Sequence, residues 1–140
     1  MAGKTKGKCA CGNVAYSYKG DPINTAFCYC KECQIHTGTD KYFGVWVSSA
    51  NFHIEKGAPA IFSRLGDSNK NVNHYFCKDC GTNLYVEITV VNMVSIAAST
   101  LDDSANLVPN MAIYTVSAPK WAVLPEGIPH FDRLPPKPVP

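Results

Sequence analysis

The 140-residue sequence has no long hydrophobic run. A helix that crosses a membrane needs about 20 consecutive apolar residues, and no segment approaches that length. The N-terminal segment MAGKTKGKCACGN carries basic residues but lacks the apolar stretch that follows them in a secretory signal. We therefore expect a protein that has no membrane partner and works in the cytoplasm.

Positive charge is not concentrated anywhere in the chain. Thirteen Lys and Arg residues face eleven Asp and Glu residues, which gives a net charge of +2. Proteins that bind nucleic acid usually gather their basic residues in a patch or tail. We therefore predict no nucleic-acid partner. The sequence is compatible with a homo-oligomer.

A sustained 3.6-residue apolar period, which is typical of amphipathic helices, is also missing. Short runs rich in β-branched and aromatic residues recur instead, separated by turns such as KGDP, KGAP and GDSNKN. The predicted strands are 14–18, 42–47, 52–55, 60–65, 72–76, 84–87, 93–97 and 111–116, with one short helix around KECQIHTG. This pattern predicts an all-β fold of antiparallel sheets.

The chain length suits one domain and is too short for two. The final segment, LPPKPVP, has the composition of an extended proline-rich tail. We therefore predict a single domain over residues 1–130 and a proline-rich C-terminal tail over residues 131–140.

The seven cysteines are an odd number, and a reducing compartment argues against a disulfide framework. Cys9 and Cys11 in CACG, and Cys77 and Cys80 in CKDCG, each resemble half of a zinc site. A glycine follows each pair and permits the tight turn that such a half-site needs. Together the four sulfurs would complete a closed tetrahedral site that ties the N-terminal strand to the middle of the chain.

The segment CYCKEC leaves three further thiolates, those of Cys28, Cys30 and Cys33. Three protein ligands with one open position are typical of a catalytic zinc, because the opening admits water or substrate. Two alternatives stay open. One is a second structural site that is closed by His36, His74 or Glu32, and the other is a redox pair of Cys30 and Cys33.

Two histidines lie close to the cysteines in the sequence. His36 follows Cys33 by three residues and His74 precedes Cys77 by three, so both are candidates for acid–base or orienting roles at the open metal. His53 lies in an alternating strand and is expected to face solvent. The candidates for substrate contact are the residues that flank the predicted open site, Tyr29, Lys31 and Thr37.

Three segments, KCACGNVAY, CYCKECQIHTGT and HYFCKDCGTNLY, together resemble the glutathione-dependent formaldehyde-activating enzyme (GFA) family, also called the centromere protein V family. The later segment VPNMAIYTVSAPKW also resembles a family strand and its tryptophan, here Trp121. The resemblance implies an all-β, Mss4-like (β-tent) fold with two zinc ions. It implies that the structural zinc is held by Cys9, Cys11, Cys77 and Cys80, and the catalytic zinc by Cys28, Cys30 and Cys33.

The resemblance also implies a carbon–sulfur lyase activity that joins glutathione to formaldehyde. We therefore expect a small-molecule thiol or carbonyl substrate, with the three CYCKEC cysteines, His36 and His74 as the catalytic set. Two other readings are a zinc enzyme that acts on another small carbonyl metabolite, for example in a biosynthetic pathway, and a non-catalytic zinc-stabilised binding module.

The sequence departs from the family pattern at three places. Gln34 stands where an arginine is common, and Ala112 stands where a late-strand histidine is frequent. Ser68-Asn69 replaces the usual Ser-Gly that precedes the second half of the structural site.

Overall fold

The computed structural model describes residues 3–136, which form ten β-strands, one α-helix and four 3-10 turns. The strands are β1 (Lys4–Lys8), β2 (Ala15–Lys19), β3 (Asn24–Cys28), β4 (Tyr42–Ser48), β5 (Phe52–Lys56), β6 (Ala60–Leu65), β7 (Asn71–Phe76), β8 (Asn83–Ile88), β9 (Met93–Ala97) and β10 (Met111–Ile113). The helix α1 spans Lys31–Thr37. Within residues 3–136, no helix has both the length and the apolar character that crossing a membrane requires.

The strands form two sheets. The smaller sheet has the order β1-β2-β5, and the larger has the order β10-β3-β4-β9-β8-β7-β6. Paired strands are antiparallel throughout, except that β10 runs parallel to β3. The predicted all-β class is confirmed, and the architecture agrees with an Mss4-like fold.

The main hydrophobic core joins the two sheets. Tyr16 of β2 packs in one buried cluster with Val45 of β4 and Ile96 of β9. Full burial of a large apolar side chain contributes about 1.5–3 kcal/mol relative to leaving it exposed. Cys9 and Cys77 belong to the same cluster. The core therefore holds one cysteine from each half of the predicted four-sulfur site.

The two strands missing from the sequence prediction are β1 and β3. The sequence of β1, KTKGK, has almost no apolar content, and it becomes a strand because it pairs along its whole length with β2. The last predicted strand, 111–116, ends early at Ile113. Tyr114 adopts a left-handed backbone conformation with a φ of 54°, and a 3-10 turn over Thr115–Ser117 follows.

After β10 the chain returns to run beside it. The Ala112 N–H donates to the Pro129 carbonyl at 2.9 Å, and the Phe131 N–H donates back to the Ala112 carbonyl at 2.9 Å. The first part of the predicted proline-rich tail therefore lies against the edge of the larger sheet. Residues 137–140 of that tail, and residues 1–2 of the predicted domain, lie outside the described residues.

Candidate metal centres and the adjoining site

Four cysteines from distant parts of the chain meet in one cluster, the four-sulfur cluster of Cys9, Cys11, Cys77 and Cys80, whose sulfurs all lie within 4.8 Å of one another. The Cys11 Sγ is 3.7 Å from the Cys9 Sγ and 3.8 Å from the Cys77 Sγ. A tetrahedral zinc with Zn–S bonds of about 2.3 Å separates its sulfurs by about 3.8 Å. The spacing of the cluster therefore fits a closed metal site of the zinc type.

Tight turns place these sulfurs. Gly12 and Gly81, which follow the two cysteine pairs, have φ angles of 80° and 77°, a region where L residues with a side chain are strained. The Gly81 N–H closes its turn by donating to the Cys77 carbonyl at 2.7 Å. The two turns are joined by the Asn13 side-chain amide, which donates to the Asp79 carboxylate at 3.0 Å.

Thr82 supports the exposed side of this cluster. Its Oγ1 lies 3.2 Å from the Cys80 Sγ and accepts a hydrogen bond from the Ala10 N–H at 3.1 Å. Hydrogen bonds from the Thr82 hydroxyl and backbone lower the pKa of Cys80 to about 5. A lowered pKa favours the thiolate, which is the form that binds metal.

The other three cysteines form a second group, the three-sulfur cluster of Cys28, Cys30 and Cys33, whose sulfurs also lie within 4.8 Å of one another. Cys28 ends β3, Cys30 is the N-cap of α1, and Cys33 lies in the first turn of that helix. The Cys33 N–H donates to the Cys30 Sγ at 3.4 Å. Local chain geometry therefore brings the three thiols together.

Among the residues that the structure describes, no fourth His, Cys, Asp or Glu joins the three-sulfur cluster. Among residues 3–136, neither His36, His74 nor Glu32 places a ligand atom within this group. Hydrogen bonds from the other two thiols lower the pKa of Cys30 to about 2, whereas the same contacts raise the pKa of Cys33. A bound cation would relieve this conflict, because it stabilises all three thiolates at once.

His36 and His74 come together beside this cluster, although they are 38 positions apart in sequence. Their rings stack with centroids 3.9 Å apart and planes inclined by 15°. The Phe62 ring lies 5.9 Å from His36 and 6.1 Å from His74. Cys33 lines a small cavity of about 20 Å³ together with both histidines and with Tyr42, Tyr75, Asn83, Tyr85 and Val86.

Arg64 fixes the tautomer of the neutral His74 ring. Its Nε–H donates to the His74 Nε2 at 3.0 Å, so the neutral His74 ring carries its proton on Nδ1. Burial of the ring, helped by the charges of His36 and Arg64, lowers the pKa of His74 to about 4. His74 is therefore a neutral imidazole near pH 7, and its Nε2 already has a partner.

His36 is held by different contacts. The Asn83 side chain donates to the His36 carbonyl at 2.6 Å and so ties the end of α1 to β8. The His36 Nε2 lies 3.8 Å from the Glu32 carboxylate, one helical turn earlier. Both histidine rings line the cavity, but only the His74 ring is held by a hydrogen bond from Arg64.

The sequence analysis missed Arg64. It lies on β6 diagonally from His74, because Phe62 is the direct partner of His74 in the β6–β7 ladder. Both strands and the turn between them were predicted. Assigning the register of this hairpin would have shown that Arg64 lies next to His74. Asn83 gave no such signal, since its contact with His36 depends on how α1 docks.

The flanking residues singled out from the sequence have structural contacts. Tyr29 is fully buried, with a hydroxyl that has no hydrogen-bond partner among the described residues. Thr37 donates through its hydroxyl to the Cys33 carbonyl at 2.9 Å, and Lys31 is exposed at the start of α1. His53 is exposed, as expected.

The sequence profile of the glutathione-dependent formaldehyde-activating enzyme family matches residues 4–117. This chain belongs to that family. The matched region includes both cysteine clusters and both stacked histidines, so the site described above lies wholly within the GFA domain.

A solved structure is also similar in fold to this GFA chain. It is the crystal structure of a Rhodobacter sphaeroides protein, with a TM-score of 0.57 and 15% sequence identity over 89% of this chain and 98% of that one. At this identity the likeness concerns the fold alone. No curated relative matches the chain.

The departures from the GFA pattern have structural explanations. Gln34 is engaged by its side-chain amide, which donates to the Tyr29 carbonyl at 2.8 Å and to the Ser117 carbonyl at 3.0 Å. Ala112 is fully buried, so its methyl group offers nothing to a substrate. Asn69 adopts a φ of 63°, and asparagine is one of the few residues that replace glycine there at modest cost.

Proposed function

We propose that this chain is a zinc-dependent enzyme of the carbon–sulfur lyase type, which joins a thiol such as glutathione to formaldehyde or catalyses the reverse reaction. On this proposal a structural zinc is held by Cys9, Cys11, Cys77 and Cys80, and a catalytic zinc by Cys28, Cys30 and Cys33. The two zinc ions belong to one domain over residues 1–130, followed by the tail over 131–140.

The observation that carries the proposal is the inequality of the two clusters. The four-sulfur cluster supplies a complete tetrahedron, whereas the three-sulfur cluster supplies three donors next to a cavity lined by two histidines. Closed zinc sites in proteins are structural, and zinc sites with three protein donors keep a position for water or substrate. Membership of the GFA family supports a thiol and formaldehyde as the reactants.

Cys28, Cys30 and Cys33 would hold the zinc, which would supply the positive charge that lowers the pKa of a nearby substrate thiol and favours its nucleophilic thiolate form. In the addition the sulfur bonds to the carbonyl carbon, the C=O double bond becomes a single bond, and the thiol proton ends on the oxygen. We assign this proton transfer to His36, which follows Cys33 on α1 and, unlike His74, has no hydrogen bond to Arg64. His74, engaged by Arg64, acts as a positioning residue through its stack on His36.

The substrate binds on the open side of the three-sulfur cluster and not inside the cavity. The cavity volume of about 20 Å³ corresponds to roughly one water molecule, far less than a tripeptide. Cys28, Cys30 and Cys33 are only partly buried, which leaves them within reach of a thiol from solvent.

The test measures binding and turnover separately. Exchange NMR on labelled formaldehyde and glutathione reports turnover with the zinc-loaded protein, and calorimetry reports glutathione binding. Cys30→Ser is the matched control, because it removes one sulfur from the three-sulfur cluster and leaves the four-sulfur cluster complete. We expect exchange above the uncatalysed rate for the wild type alone. Wild-type exchange equal to that of the control, with no glutathione binding, would contradict the proposal.

A second candidate function is an enzyme of the same zinc chemistry that acts on another small carbonyl metabolite. The specific observation in its favour is the engagement of Gln34 and the burial of Ala112, at positions where family members often carry Arg and His. This chain therefore lacks the Arg and His side chains that could contact glutathione at these two positions. If glutathione does not bind while the three-sulfur cluster holds zinc, other carbonyl substrates become the next series to test.

A further inference from the structure

Arg64 has unused hydrogen-bonding capacity at the edge of the site. The residue is partly buried on β6, and its Nε–H donates to His74. Among residues 3–136, no carboxylate lies within ion-pair distance of its guanidinium group. The four N–H bonds on the two terminal nitrogens have no protein acceptor in this part of the chain, although guanidinium groups that approach a protein interior usually have an anionic partner.

Arg64 is close to the three-sulfur cluster. His74, which it contacts at 3.0 Å, lines the same cavity as Cys33. One residue, His74, therefore separates the Arg64 guanidinium group from the cavity that Cys33 lines.

Two acidic side chains of this part of the fold contact residues other than Arg64. The Asp67 carboxylate, three residues beyond Arg64, accepts a hydrogen bond from the Tyr114 hydroxyl at 2.6 Å. The Glu32 carboxylate lies 3.8 Å from the His36 ring. No carboxylate among residues 3–136 forms an ion pair with the Arg64 guanidinium group, so the group is free to bind an anion from another molecule.

We propose that Arg64 binds a carboxylate of the substrate thiol, so that the site selects acidic thiols over neutral ones. This inference rests on the proposed function, because it presumes that a thiol binds at the three-sulfur cluster. The planar guanidinium fork matches a carboxylate with paired N–H···O bonds, which a lysine ammonium cannot reproduce. The alternative role, in which Arg64 only offsets the negative thiolates, would give no preference for a carboxylate.

The test compares acidic thiols with analogues in which the carboxylate is replaced by an amide or an ester. Two pairs are used with the zinc-loaded wild type in calorimetry: 3-mercaptopropionate against 3-mercaptopropanamide, and glutathione against its diethyl ester. The short and long pairs cover different distances between sulfur and carboxylate. We expect the acid to bind at least about tenfold more tightly than its neutral analogue in one pair or both, the size of one charge-assisted interaction.

Three variants test whether Arg64 causes the preference for acidic thiols. Arg64→Met should remove it, and Arg64→Lys should retain only part of it because the fork is lost. Lys19→Met is the matched control: it removes one positive charge from the exposed end of β2, in the smaller sheet, and should leave the preference unchanged. Binding is the readout throughout, so the result does not depend on turnover.

The outcomes separate this proposal from the one on which it rests. If both members of each pair bind the wild type equally well, the Arg64 proposal is overturned while the thiol proposal stands. A preference that persists in Arg64→Met also overturns it. If no thiol of either pair binds the zinc-loaded protein, the proposed thiol chemistry fails, and the role of Arg64 fails with it.

Discussion

Cys30 and Cys80 are the same residue type in two different settings. Cys30 caps the short helix α1 and belongs to the three-sulfur cluster beside a cavity. Cys80 belongs to the four-sulfur cluster, which joins the turn after β1 to the turn between β7 and β8. The loss of one sulfur should therefore have unequal consequences at the two positions.

We expect Cys80→Ser to give misfolded or insoluble protein, because structural zinc binding in small domains is worth about 10–16 kcal/mol. Cys30→Ser should stay folded, with weakened metal binding at one site and loss of activity. Circular dichroism, thermal unfolding and metal content of the two purified variants are the measurements. Should Cys30→Ser unfold the domain as readily as Cys80→Ser, the second site would be structural and the binding-module reading would gain.

His74 provides a prediction about pH. Its pKa of about 4 lies below the ordinary value of 6.5. Between pH 6.5 and pH 4 the unfolded chain therefore binds the proton more readily than the folded one. The contribution of His74 to stability is complete above pH 6.5 and is lost as the pH falls through 4.

NMR titration of the histidine rings tests this shift, with His74→Asn used to assign the signal. The His74 ring should stay neutral from pH 8 down to about 5. In Arg64→Met the His74 pKa should rise, because a neighbouring positive charge that opposes protonation is gone. A wild-type pKa at or above 6.5, or one that does not change in Arg64→Met, would contradict this account.

At the scale of the elements, the β6–β7 hairpin carries Arg64 and His74 on its two strands, so the turn between these strands sets the register of the site. The Asn69 N–H donates to the Gly66 carbonyl at 2.9 Å, and the Gly66 N–H donates to the Lys70 carbonyl at 2.9 Å. Asn69 adopts a φ of 63° within this turn. The turn therefore depends on a residue that tolerates the left-handed region.

We expect Asn69→Ala to lower the free energy of unfolding by about 1 kcal/mol, because alanine is strained at positive φ. Asn69→Gly, the matched variant, should cost less, since glycine adopts this conformation freely. Urea unfolding of both zinc-loaded variants measures the difference. An alanine variant as stable as the glycine variant would show that the turn changes conformation.

At the scale of the whole molecule, the four-sulfur cluster connects parts of the chain that belong to different sheets. Cys9 follows β1 of the smaller sheet, whereas Cys77 follows β7 of the larger one. Both lie in the main core. Metal loss from this cluster should therefore loosen the contact between the sheets, whereas metal loss from the three-sulfur cluster should act locally.

We predict two zinc ions per chain with unequal lability. The ion held by four sulfurs should resist a chelator, and the ion with an open coordination position should leave first. Elemental analysis of protein purified without chelator gives the stoichiometry, and release to a chromophoric chelator gives the two rates. A zinc content near one or zero per chain would rule out the two-site account.

Much of this arrangement follows from local sequence. Metal-binding cysteines recur at short spacings within turns, so CACG, CYCKEC and CKDCG already predicted the groups of four and three that the structure brings together. Short runs of β-branched and aromatic residues between turn residues likewise predicted eight of the strands, because these residue types favour strands. The short helix after Cys30 also followed from its sequence.

Only the tertiary structure decided the contacts that shape the site. The stack of His36 on His74 depends on how α1 docks against β7, and the bond from Arg64 to His74 depends on the register of a hairpin. β1 carries no strand signal of its own and exists because β2 pairs with it. Cysteine spacing and strand composition act over a few neighbouring residues, so the sequence alone determined the two cysteine pairs, the CYCKEC trio and most of the strands. Docking and register are set by packing between residues that are distant in the chain, and these decided the surroundings of the three-sulfur cluster.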